Sequence, residues 1–171
     1  MLVPGFLAGD PSLSRMARWL RSGGWQTTRS GIRMNVDCME PALQTIEARL
    51  EYAVRKTGRP GLVVGQSRGG TLARALAVRR PDLVDTLVTL GSPVLDQMAT
   101  SRSTQAAVTL VGLLGTVGVP RLFSHSCRNG ACCETARGQL REPLPGDVRY
   151  VAFYSRTDPI VSWEACLDPQ A

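Results

Sequence analysis

A chain of 171 residues with 43% hydrophobic side chains fits one domain and is long enough to bury a substantial core. Its formal net charge is +6, but the cations are nearly all arginines scattered along helical stretches (Arg15, Arg18, Arg21, Arg74, Arg79, Arg80), and aromatics are only 5%. That pattern reads as solvated helix faces with some attraction to anionic lipid surfaces, and argues against nucleic acid as a partner. The longest apolar run, 106–119, is broken by Thr109, Gly112, Gly115, Thr116 and Gly118, which excludes a membrane span there.

Strand and helix patterns alternate along the chain, as in a parallel sheet covered on both faces. Residues 1–3 read as a short strand ended by Pro4-Gly5. Residues 12–22 form an amphipathic helix with Leu13, Met16, Trp19 and Leu20 on one face. Gly23-Gly24 stops it, and 25–28 is the next expected strand. A long helix over 38–57 carries Leu43, Ile46, Leu50 and Val54 at steps of three and four. The apolar run 61–64 is the central strand, 70–79 the helix behind it, and 84–90 a further buried strand.

The sheet pattern then lapses until 148–154, the fifth and last strand. The interval 94–147 is too long for a simple crossover. It holds an apolar helix near 105–114, a turn-rich cysteine loop and a short helix near 134–140. A long excursion between strands at a sheet's functional edge reads as a lid or specificity insert. Its apolar helix shows no polar face, so it is expected to be covered by the body or by a ligand.

Five cysteines is an odd number, and Cys127, Cys132 and Cys133 share one loop. Their spacing matches no zinc pattern. Reduced structural thiols and a local disulfide such as Cys127–Cys132 both remain open. The start Met1-Leu2-Val3-Pro4 lacks the basic opening and apolar core of a signal peptide, so a cytoplasmic location is expected.

The chemistry concentrates at Gly65-Gln66-Ser67-Arg68-Gly69. Strand, small-residue pentapeptide and helix arrive in the order that a tight strand-to-helix turn needs. Such a turn lifts a serine hydroxyl clear of the strand's end, and small residues two before and two after avoid collision. Ser67 is therefore read as a nucleophile. A serine needs a base, a group orienting that base, and donors for the oxyanion. The backbone N–H groups of Arg68 and of Phe6, in the turn Pro4-Gly5-Phe6, are the expected donors. Asp158, at the end of the last strand, is the expected acid, with Asp96 as its rival. One histidine exists, His125. It precedes Asp158, and thirteen residues follow Asp158, too few for another helix, strand and histidine loop. His125 is a weak candidate for the base.

With Pro4-Gly5-Phe6, Gly65-Gln66-Ser67-Arg68-Gly69-Gly70, Thr89-Leu90-Gly91-Ser92-Pro93 and Tyr154-Ser155-Arg156-Thr157-Asp158 in order, the chain resembles the α/β-hydrolases over nearly its whole length. It looks most like the lipase and esterase branch, as a truncated or minimal member. The resemblance implies one α/β domain over 1–171, with a parallel sheet of about five strands and a lid at 94–147. It also implies Ser67 as nucleophile, Asp158 as acid, an oxyanion hole of the Phe6 and Arg68 amides, and no cofactor. Ester or lipid hydrolysis through an acyl-enzyme is the implied activity. A non-catalytic binder of acyl ligands and an acyltransferase on the same fold are the alternatives.

Overall fold

The computed structural model describes residues 1–94, 96, 98–120, 122–124, 127 and 133–171. Four strands make one parallel sheet in chain order: β1 (Leu2–Val3), β2 (Gly61–Gln66), β3 (Val84–Leu90) and β4 (Arg149–Phe153). The register aligns Leu2, Val64, Val88 and Val151 in one row across the sheet. The next row, Val3, Gly65, Thr89 and Ala152, faces the opposite side.

On that second side lie α2 (Met39–Thr57), α3 (Arg68–Arg79) and α5 (Glu134–Gln139). Leu43, Ile46 and Leu50 of α2 and Leu72 and Leu76 of α3 are fully buried against Val3, Val63 and Leu87. Every residue of α3 from 69 to 77 is buried, which its run of Gly, Ala and Leu permits. Gly58 closes α2 in the left-handed region (φ 72°), its N–H donating to the Val54 carbonyl at 2.8 Å.

The other face is covered by α1 (Ser14–Ser22) and the 3-10 turn Asp10–Leu13 before it. Leu13, Met16, Ala17 and Leu20 meet Leu2, Val64, Val88 and Leu90. These positions follow the steps of three and four that set a helical stripe. Trp19, expected on this face, is 73% exposed because it lies off that stripe.

The expected strand over 25–28 does not form, so the sheet among the described residues has four strands. β1 is only two residues long and offers little ladder to a neighbour. With β1 the segment shares one backbone hydrogen bond, Leu2 N–H to the Thr28 carbonyl, followed by a single bridge of Leu2 with Arg29. Between β3 and β4 the excursion holds α4 (Arg102–Thr116) and α5. The apolar side chains Leu110, Leu113 and Leu114 of α4 and Val117 just after it are exposed rather than covered by the body, and only Val111 and Gly112 of the helix are buried. Its glycine side is the one turned to the body, where Gly112 and Gly115 lie against Phe123. No helix of the described residues is long and apolar enough to cross a membrane.

An ion pair ties α2 to α3. The Arg79 guanidinium donates to both Glu40 oxygens, at 2.9 and 2.6 Å, and holds that carboxyl below its ordinary value of 4.5. A depressed acid stabilises the fold above its unfolded pKa and loses that contribution as pH falls through the folded one. Unfolding stability should therefore drop below pH 4.5, and Glu40→Gln should flatten that acid limb. Urea unfolding at stepped pH values measures it.

Candidate active site

The turn between β2 and α3 departs from ordinary backbone. Ser67 has φ 49° and ψ −126°, and its N–H donates to the Leu90 carbonyl of β3 at 2.9 Å. Among the described residues only one other non-glycine has positive φ, Leu7 at 59°, in the loop after β1. Both strained residues thus sit where β1 and β2 end, and such conformations cost on the order of 1–3 kcal/mol each. Close packing holds the turn. A Cβ on Gly65 would overlap Gly70 of α3, and a Cβ on Gly69 would overlap the carbonyl oxygens of Val3 and Pro4. Small residues at these two positions are required, as the pentapeptide suggested.

Ser67 borders two clefts. The first, about 460 Å³, is lined by Phe6, Arg68, Phe123 and the excursion residues Val94, Thr104 and Val108 among others. That volume suits a small organic ligand. Arg68 reaches back under the loop before α2. Its Nη1 donates to the backbone and side-chain oxygens of Asn35, both at 2.9 Å, and Nη2 donates to the Asp37 carbonyl at 2.5 Å. The buried Asn35 side chain passes the link on, donating to the Pro4 carbonyl at 2.7 Å. The two loops flanking Ser67 are thereby fastened together. Burial pushes the Arg68 pKa down to about 10.

A family sequence model described as the alpha/beta hydrolase fold matches residues 7–111. The chain belongs to the α/β-hydrolase fold family. A search of curated protein sequences finds no match. Solved structures give the same fold at low identity. The mature lipase BlEst2 of Bacillus licheniformis aligns with TM-score 0.69 at 15% identity, over 99% of this chain and 79% of that one. A monoacylglycerol lipase of Paleococcus ferrophilus aligns with TM-score 0.57 at 13% identity, over 96% and 75%. The mouse alpha/beta hydrolase domain-containing protein 10 aligns with TM-score 0.54 at 18% identity, over 95% and 70%.

In this α/β-hydrolase the second cleft is bounded by Ser67, Gly91, Asp158 and residues of the α1 side such as Leu13 and Met16. Asp158 follows β4, and its Oδ1 accepts from the N–H groups of Ile160 and Val161 at 2.8 and 3.2 Å. Ser67 and Asp158 therefore share one cleft. Asp96 lines the other, is exposed, and accepts from the Met98 N–H at 2.9 Å. Phe6 and Arg68 line the first cleft with Ser67. His125 lies outside the described residues.

Three features carried no sequence signal. Cys127 is disulfide-bonded to Cys38, 89 residues away, a pairing that neither open reading, reduced thiols or a local bond such as Cys127–Cys132, contained; Cys132 lies outside the described residues. Cys133 packs beside this bond, its Sγ 3.5 Å from that of Cys38, and all three cysteines line the first cleft. Asn35 sits in a stretch with no motif. Asp168 also lines the first cleft, paired with Arg74 of α3.

Proposed function

We propose that this α/β-hydrolase is a serine hydrolase that cleaves carboxylic esters by acyl transfer through Ser67. The observation that carries the reading is the strained backbone of Ser67 at the junction of two clefts, one of them containing Asp158. In this scheme the ester carbonyl enters from the first cleft and Ser67 Oγ attacks it. The Arg68 N–H, at the first position of α3, and the Phe6 N–H receive the developing oxyanion. Asp158 orients a base placed in the second cleft between itself and Ser67. The excursion 94–147 acts as the cap of a single domain, and its exposed leucines on α4 would meet a lipid surface during turnover.

A fluorophosphonate probe tests the reading. It should label Ser67, found by peptide mass spectrometry, and Ser67→Ala should remove both labelling and hydrolysis of a short p-nitrophenyl ester. Added imidazole should raise the rate if the second cleft lacks its own base, and His125→Ala should lower it only if His125 reaches that cleft. An unlabelled Ser67 in folded protein would instead support a binding protein without turnover.

A further inference from the structure

Residues 11–36 hold five arginines and neither Asp nor Glu. None of the five forms an ion pair among the described residues, whereas Arg74, Arg79 and Arg80 on and beside α3 all do. The stripe Leu13, Met16, Ala17 and Leu20 is turned to the sheet. With 3.6 residues to a turn, the opposite face of α1 carries Arg15, Arg18, Trp19 and Ser22, all of them exposed. Arg21 lies on the flank and shares a recess of about 230 Å³ with Arg29.

Two carboxylates stand close to this face. Asp10 lines the same recess, but its oxygens accept from the Ser30 N–H and hydroxyl and from the Gly31 N–H, at 3.0, 2.6 and 3.0 Å. Asp158 lines the cleft that Arg15 borders. Four guanidinium groups against two carboxylates leave the face positive.

The indoles decide which partner the face suits. A helix that meets only water gains nothing from large aromatic side chains, yet Trp19 is 73% and Trp25 56% exposed. The Trp25 N–H donates to the Leu20 carbonyl at 3.0 Å, and a Cβ on Gly23 would come within 3.7 Å of its ring. The turn therefore folds Trp25 back to the end of α1. Indoles settle at the boundary between water and lipid chains, and arginines there are drawn to anionic headgroups. A nucleic acid would call for a longer basic stripe with polar side chains to read bases. α1 has nine residues and is about 14 Å long.

We infer that this face of α1 docks on an anionic lipid surface. Trp19 and Trp25 enter the headgroup boundary, and Arg15, Arg18, Arg21 and Arg29 meet lipid phosphates. Arg15 also borders the cleft shared by Ser67 and Asp158, so docking holds that cleft beside the surface. The inference does not depend on the ester-hydrolase reading.

Cosedimentation with vesicles tests it. The parent protein and Ser67→Ala should both be retained by phosphatidylglycerol vesicles, about tenfold or more strongly than by phosphatidylcholine vesicles. Arg15→Gln and Arg18→Gln alter exposed side chains that make no hydrogen bond among the described residues, and each should weaken retention about fivefold. Indole emission should move to the blue on phosphatidylglycerol, and Trp19→Ser with Trp25→Ser should remove that shift while Trp163 remains. Equal retention on the two lipids, or an emission that does not move, overturns the inference. So does tighter binding to a single-stranded oligonucleotide than to the vesicles. Retention lost with Leu110→Ser and Leu113→Ser of α4 but indifferent to the α1 arginines overturns it as well. An inactive parent protein that is retained keeps the inference and removes the hydrolase reading. An active parent protein that neither vesicle retains does the reverse.

Discussion

Asp168→Ala should cost the fold about 3–5 kcal/mol, because it strands a buried guanidinium. The Arg74 and Asp168 side chains are 1% and 2% exposed, and Nε meets Oδ2 at 2.6 Å. Arg74 Nη1 donates to the Gln139 carbonyl at 2.8 Å, and Nη2 to the Glu142 carbonyl at 2.9 Å and to Asp168 Oδ1 at 3.4 Å. One arginine on α3 thus fixes both the end of α5 and the segment near the C-terminus. Removing the acid leaves the charge with carbonyls alone. Arg74→Met with Asp168→Leu removes both charges together and should cost much less than the single change, since a buried pair barely repays its desolvation. Urea unfolding of the three variants checks this. A single variant as stable as the parent would contradict it.

Gly69→Val should be nearly as damaging, at about 2–4 kcal/mol. Its Cβ would run into the Val3 and Pro4 carbonyl oxygens, which are backbone atoms of β1 and its loop and have no rotamer to change. The loop carrying Phe6 must shift, so reaction of Ser67 with a fluorophosphonate should fall along with stability. Gly138 is the counterexample. A Cβ there meets nothing within 4 Å, and the residue lies within α5. Gly138→Ala should stabilise by about 0.5–1 kcal/mol. Thermal unfolding of both variants measures the contrast.

The sequence revealed those parts of the fold that are stated locally. β2, the turn at Ser67 and α3 were legible because an apolar run, a small-residue pentapeptide and a helix former follow one another without interruption. The stripe of α2 was legible from its period, and α5 from its position after the cysteine loop. The strand expected at 25–28 failed for a reason the local pattern does not contain: its neighbour β1 is two residues long. The same limit hid the bond of Cys38 with Cys127 and the pairing of Arg74 with Asp168, separated by 89 and 94 residues. The carboxylate Asp158 was placed by its position after a strand. The role of Asn35, a buried amide between two loops, follows from three-dimensional neighbours alone.

The distance between Arg74 and Asp168 along the chain also bears on how the protein is made. α3 leaves the ribosome carrying a guanidinium whose counterion is still 94 residues from being synthesised. Until Asp168 emerges, the helix at whose head Ser67 sits has an unbalanced charge in its apolar flank and cannot pack in its final form. The cleft that Asp168 lines is therefore completed only once residue 168 is outside the ribosome. A ribosome-bound nascent chain stalled before residue 168 should hold β2 and α3 loosely, and synthesis past that residue should lock them.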